Sequence, residues 1–394
     1  MSQSAASPDG DRGVSAPPDR AFGVDRLDAL DEASRAWIKL CLAEGLGPVG
    51  RERLIARFGG PVDVLRADRS ALQGVTGIGP KTAAAIMAAR RLDLEELTHQ
   101  CRLAGVGMIW PERAEYPRRL TEVPAPPGLL FVAGNLLSRD ELAVAIVGTR
   151  HASRYGERQA ARFAEVLADT GVTIVSGLAR GIDAAAHRGA LAGGGRTIAV
   201  LGSGHGRLYP SCHRELADSI AAQGAVMSEY PPRRPPLSST FPQRNRIVSG
   251  LALATLVIEA GARSGALITA RHAMEQNREV LVLPGPVEKG AFRGSHRLIR
   301  DGALLVETPS DVLEALGPLP VPAEGESGDV RAPAELLLSE QERAILSEIG
   351  TRPTPIDQVV ARSGLPVQRV LSTLSMLEMR HLIERVSGQF VARR

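Results

Sequence analysis

Lysine is almost missing: Lys39, Lys81 and Lys289 are the only three among 47 basic side chains. The rest are arginines. Arginine forks grip phosphate in a way lysine cannot, although a GC-rich genome produces the same bias. Cysteine is equally sparse. Cys41, Cys101 and Cys212 lie far apart and form no CxxC pair, which excludes a disulfide framework and a zinc ribbon and fits a reducing compartment. Aromatics make up 3%. No run approaches the ~20 unbroken apolar residues of a bilayer span, and the first residues carry Asp and Pro where a secretory signal needs an apolar stretch. Residues 1–32 read as a disordered tail, and the protein as cytoplasmic. The formal net charge of +3 does not by itself establish a nucleic-acid partner.

What is present is enough for several cores. The 394 residues, 44% hydrophobic with 41 Gly and 27 Pro, suit two or three loop-rich domains. Residues 33–105 read as short helices joined by Gly-rich turns, GLGPVG at 45–50 and GVTGIGPKT at 74–82. These resemble helix-hairpin-helix turns, in which glycines let the backbone approach a phosphate, and they equally suit an inert helical bundle. GIGPKT also mimics a Walker A loop. Pro80 separates Gly79 from Lys81 and no strand precedes the string, so a phosphate cradle is not expected.

From residue 143 the periodicity changes. AVAIVGTR (143–150), VTIVSGLA (172–179), RTIAVLGSG (196–204), AVMSE (225–229), ATLVIEA (254–260), EVLVLPG (279–285) and ALLVE (303–307) alternate with helical stretches. Continuous Val/Ile/Leu runs between helices predict a mostly parallel sheet buried on both faces, a Rossmann-like doubly wound α/β domain over 110–317. Residues 318–334 are Pro-, Gly- and acid-rich and read as a linker. Residues 335–394 carry the helix–helix–helix–hairpin order of a winged helix, with Gly364 at the tight turn.

In such a sheet the ligand sits beyond the carboxyl ends of the strands. The loops there pair Gly or Ser with Arg150, Arg180 and Arg263, and bare amides beside guanidinium groups favour anionic oxygens, so phosphate is the expected ligand. No loop spells GxGxxG, which argues against a dinucleotide cofactor. The loop EYPPRRPPLSSTFPQRNR (229–246) adds Arg233, Arg234, Arg244 and Arg246. Tyr209, Tyr230, Phe241 and Phe292 fall near the same strand ends, placed either to stack on bases or to pin loops to the core. Catalytic signals are thin: no nucleophile elbow and no HxH or HxxxH metal spacing occur. Asp183 and His187 share one helix face and read as a loop brace and a core histidine. Glu229 and Glu259, ending strands beside the site, are the candidates for hydrolysis.

The strings SGLARGIDAAAHRGAL (176–191), TIAVLGSG (197–204), SEYPP (228–232), FPQRNRIVSGLA (241–252), EAGARSGALITA (259–270) and LPGPVEKGAFRGSHRLIRDGA (283–303) together closely resemble the DNA-processing protein A (DprA/Smf) family over about 110–310. The resemblance implies a non-catalytic homodimer that binds single-stranded DNA during natural transformation, shields it, and helps load the recombinase RecA. It also implies a basic pocket made here by Arg150, Gly177, Arg180, Phe241, Arg244, Arg246 and Arg263, with no metal or cofactor. Three departures from the family pattern stand out. Gly206 replaces an Asp and His213 an Asn in the GxGxDxxYPxxN stretch, and GSH ending at His296 replaces GTN, which puts loop geometry around Tyr209 and Ser295 in question. Two other readings remain open at this stage. One is a nucleotide hydrolase using Glu229 or Glu259, against which LPGPVEKG lacks the paired glycines of PGGxGTxxE. The other places DNA or protein contact on the winged helix alone, whose recognition helix PVQRVLSTLSMLEMR is rather apolar for a major groove.

Overall fold

The computed structural model describes residues 30–288, 290–317, 340–350, 354–379, 382–387 and 390–393. The expected tail, apart from its last residues, and the expected linker lie outside the described residues. Among the described residues six helices come first: α1 (Glu32–Cys41), α2 (Pro48–Phe58), α3 (Pro61–Arg66), α4 (Arg69–Gln73), α5 (Pro80–Ala89) and α6 (Leu94–Ala104). Helix α1 begins inside the stretch read as tail because Asp31 caps it, its carboxylate accepting from the Ser34 amide at 2.8 Å. The two Gly-Pro turns place Pro48 and Pro80 at the first positions of α2 and α5, where a missing N–H costs nothing. Leu40, Leu54, Leu72 and Ile86 close a separate small core between these helices.

The central sheet has nine strands: β1 (Gly107–Ile109), β2 (Leu130–Gly134), β3 (Ala143–Val147), β4 (Thr173–Ser176), β5 (Thr197–Leu201), β6 (Ala225–Ser228), β7 (Ala254–Val257), β8 (Glu279–Val282) and β9 (Leu304–Leu305). Their order is β1-β2-β6-β5-β4-β3-β7-β8-β9. From β6 to β9 every pairing is parallel, while β1–β2 and β2–β6 are antiparallel. The sheet therefore begins at Gly107, before the expected boundary at 110. Strands β3 to β5 and β7 are buried along their whole length, as two-sided cover requires. The last strand departs from expectation: ALLVE yields only two residues, and Leu304 and Leu305 are half exposed at the sheet edge.

Helices α7 (Arg154–Asp169), α8 (Ile182–Ala192), α9 (Arg214–Gln223), α10 (Thr240–Gly250), α11 (Ala266–Glu275), α12 (Arg293–Arg300) and α13 (Pro309–Ala315) complete the domain. One face of the sheet packs Val147, Val200 and Met227 against Ile247 of α10 and Leu251 at its end; the other packs Ile146 and Ile174 against Phe163 and Leu167 of α7. Successive strand residues thus feed opposite layers. Phe163 is fully buried, and Phe163→Ala is expected to cost about 3–5 kcal/mol in a denaturant titration.

The C-terminal module contains α14 (Glu340–Ser347), β10 (Thr354–Pro355), α15 (Ile356–Ser363), α16 (Val367–Met379), β11 (Ile383–Ser387) and β12 (Phe390–Arg393). Gly364 adopts φ 63° and ends α15, the turn expected between the second and third helices. Strand β10 adds to the expected hairpin, making a three-stranded sheet. Val367, Leu371 and Met376 of α16 are exposed beside Gln368, Arg369, Ser372 and Ser375, so the outer face of this helix mixes apolar and polar side chains.

Candidate nucleic-acid interface

The chain lays β3 to β6 on one side and then returns to place β7 against the free side of β3. That reversal makes β3/β7 the switch point, where the loops diverge and leave a crevice. A hollow of about 150 Å³ opens there, over the carboxyl ends of β3, β4 and β5, lined by Arg150, His151, Gly177, Ala179, Arg180, Tyr209, Pro210, Phe241 and Arg244.

Its walls follow from local backbone requirements. After β4 the chain turns through Leu178 at φ 55° and Gly181 at φ 72°. A Cβ at Gly181 would sit 2.4 Å from the Thr149 carbonyl oxygen, so only glycine lets α8 start against the Thr149–Arg150 loop. Ile182 N–H donates to Thr149 O at 3.3 Å. This close approach sets Arg150 and Arg180, both exposed, on the rim beside the positive end of α8.

Arg244 forms the floor. It is 4% exposed, and its Nη1 donates to the carbonyl of Val200. Gly177 makes room for it, since a Cβ there would lie 1.9 Å from Nη1. Burial pulls the guanidinium down to about 10, against the opposing pull of Asp183, so it remains charged at neutral pH. Its Nε has no hydrogen-bond partner among the described residues. Asp183 is buried in the first turn of α8 and accepts from the Ala179 amide at 3.4 Å; burial raises its pKa, with the Arg244 charge opposing.

The aromatic wall is Phe241. Its ring seats against Gly202, where a Cβ would come within 2.7 Å. The Arg150 guanidinium carbon stands 5.1 Å from its centroid, and Tyr209, half exposed, meets it edge-on at 5.7 Å. A cation and two rings at one mouth can bind a phosphate and a base together.

Five of the seven site residues expected from sequence, Arg150, Gly177, Arg180, Phe241 and Arg244, therefore converge. Two do not. Arg246 turns away, its Nη2 on both carboxylate oxygens of Glu229 at 2.7 and 2.9 Å and its Nε on Ala125 O at 3.1 Å. Arg263 is exposed in the loop after β7 and is not among the residues that line the hollow. Arg263→Ala is expected to leave affinity for a short oligothymidine within about twofold in an anisotropy titration, as for an exposed residue outside the hollow's lining. Sequence reasoning left His151, Ala179 and Pro210 out of the site. Tyr209 was singled out only as an aromatic, and its neighbour Pro210 was the available signal.

Of the other two loop aromatics, Phe292 is core, buried against Gly285 and Tyr155, and Tyr230 donates to Gln243 Oε1 at 3.1 Å. The altered family positions have found substitutes. The Gly206 amide donates to Pro232 O at 2.9 Å, His213 Nδ1 holds the carbonyl of Leu178 at 3.0 Å, Ser295 Oγ accepts from Ala260 N–H at 3.0 Å, and His296 Nε2 meets Gly285 O at 3.0 Å. The hydrolytic candidates are both engaged: Glu229 by Arg246, and buried Glu259 by the amide and hydroxyl of Ser153, the latter at 2.7 Å, at the start of α7.

His187 and His205 are buried behind the site, hydrogen-bonded to Thr197 Oγ1 at 2.7 Å and Val226 O at 3.0 Å. Burial pushes them down from 6.5 to about 3 and about 4. Between pH 6.5 and 4 the unfolded chain binds protons that the folded one refuses, so stability is full above that window and falls as pH drops through it. Thermal denaturation across this range should show a loss on the order of 3 kcal/mol for His205 alone, and His205→Asn should make the profile shallower, with His187 sustaining the remainder.

Among the described residues, no helix is long and apolar enough to cross a membrane, and no His/Cys/Asp/Glu group could hold a metal ion. The family described as DNA recombination-mediator protein A matches residues 107–317, and the DprA winged helix domain matches residues 330–389. Protein Smf of Escherichia coli (strain K12) is 44% identical over 279 residues, covering 70% of this chain and 74% of the relative. Protein Smf of Synechocystis sp. is 35% identical over 390 residues, covering 91% and 98%. The X-ray structure of DNA processing protein A from Streptococcus pneumoniae superposes with a TM-score of 0.62 at 36% identity, over 71% of this chain and 97% of that one.

Proposed function

The chain belongs to the DNA recombination-mediator protein A family, and on that premise we propose that it binds single-stranded DNA in the hollow above β3 to β5. In this reading it shields a strand entering during natural transformation and loads the recombinase RecA onto it, in the cytoplasm and as a homodimer. One observation carries the reading: three guanidinium groups, Arg150, Arg180 and Arg244, share a single mouth with Phe241 and Tyr209. Phosphate takes the cations and a base takes the ring face, a combination that tolerates any sequence.

The protein acts by binding. A hydrolase drawing on Glu229 or Glu259 would need a carboxylate free to move a proton, and both are held in ion pairs or hydrogen bonds. Incubation with nucleoside monophosphates is expected to release no base.

Anisotropy titration with oligothymidine tests the binding. Neutralising about four phosphates gives a slope near −2.8 in log K against log salt. Arg180→Ala should weaken binding about tenfold, the value of one charged contact; unchanged binding would remove the pocket. Nuclease protection and RecA assembly on a coated strand test the mediator role, and light scattering tests the dimer.

A further inference from the structure

We propose that the strand path continues beyond the hollow onto the loop after β6, where Arg233 and Arg234 form a second phosphate-binding segment that Glu44 and Glu96 of the helical domain hold until nucleic acid displaces them. The proposal rests on the reading of the hollow as a single-strand site and extends it by one contact surface.

The two surfaces are continuous. Gly204 N–H donates to Arg234 O and Gly206 N–H to Pro232 O, each at 2.9 Å. A Cβ at Gly204 would lie 2.1 Å from Pro231 O, so the two loops touch backbone to backbone. Exposed Arg207 lies on the first loop, two residues before Tyr209 at the mouth of the hollow. A strand leaving the Tyr209 side therefore meets Arg207 and then the Arg233–Arg234 pair. Pro231, Pro232, Pro235 and Pro236 bracket that pair and fix the backbone that presents it.

The present partners of the pair are weak ones. Arg233 Nη1 meets Glu96 Oε1 at 3.0 Å with both side chains about half exposed or more, and Arg234 Nη1 meets Glu44 Oε1 at 3.1 Å with Glu44 82% exposed. Exposed single ion pairs contribute little and are screened by salt. Each is also made through one nitrogen only. Arg234 Nε is buried and has no hydrogen-bond partner among the described residues, so Glu44 engages only one arm of a fork that a phosphate can take with two. Phosphodiesters also release counterions when they bind, which a carboxylate exchange does not. The two glutamates thus occupy the positions of phosphates without the strength of a polyanion.

The test compares full-length proteins on oligothymidines of about 6 and about 24 nucleotides, the first filling the hollow and the second spanning both surfaces. Arg233→Gln/Arg234→Gln should bind the short probe like wild type and the long one about tenfold more weakly, with a salt slope shallower by about 1.4. Glu44→Gln/Glu96→Gln should tighten the long probe about threefold and leave the short one unchanged. Equal loss at both lengths would place the arginines in the hollow's architecture and overturn the proposal, as would an arginine variant indistinguishable from wild type at both lengths. Failure of the hollow reads differently: wild type would then not hold the short probe, while the long-probe comparison would still decide the second segment.

Discussion

Gly177→Ala is expected to weaken oligothymidine binding roughly thirtyfold to a hundredfold while the chain still folds. The residue does not need a left-handed backbone, so the added methyl acts by space alone. Its Cβ would lie 1.9 Å from Arg244 Nη1 and 2.4 Å from Cζ. The guanidinium is 4% exposed between the ends of β4 and β5, so it has to leave its bond to Val200 O. Overpacking of this kind costs about 1–3 kcal/mol of stability. Loss of a charged contact to phosphate costs about 1.5–3 kcal/mol of binding, and the upper part of that range, about 2–2.7 kcal/mol, is the stated fold-change. The double variant Gly177→Ala/Arg244→Ala should relieve the clash without recovering affinity, because it leaves the floor uncharged.

Phe241→Ala carries the second large effect. Base stacking on an aromatic contributes about 1–3 kcal/mol, and the same ring positions Arg150 and borders Tyr209. Affinity should drop at least tenfold, with the salt slope falling by less than one phosphate's worth because Arg150 keeps its charge. Phe241→Trp, which preserves a ring face, should retain most of the binding. Equal loss in both variants would show that the ring only fills space.

Much of this architecture can be read from the sequence. Buried parallel strands leave unbroken Val/Ile/Leu runs such as AVAIV and TIAVL, and glycine beside arginine at their ends marks where the hollow opens. Strand order does not leave such a mark. Without it, the loop after β7 cannot be placed relative to the loops after β4 and β5, and so the sequence does not separate Arg263, which is outside the hollow's lining, from the arginines that line it. Arg244 and Arg246 failed to separate for a different reason. Two residues apart on α10 they differ by about 200° around the axis, so one faces the hollow and the other faces Glu229. The spacing was visible, but which face turns inward depends on how α10 packs on β5. Edge strand β9 is shorter than ALLVE suggests: the run resembles a core strand, whereas among the described residues β9 ends the sheet and Leu304 and Leu305 are half exposed.

A crystal structure of the protein with a short oligothymidine tests the central claim most directly. The account predicts a backbone phosphate between Arg150 and Arg180, within reach of Arg244, and a base laid against Phe241 and Tyr209. A strand lodged on the winged helix, or one crossing the sheet with the hollow empty, would contradict it.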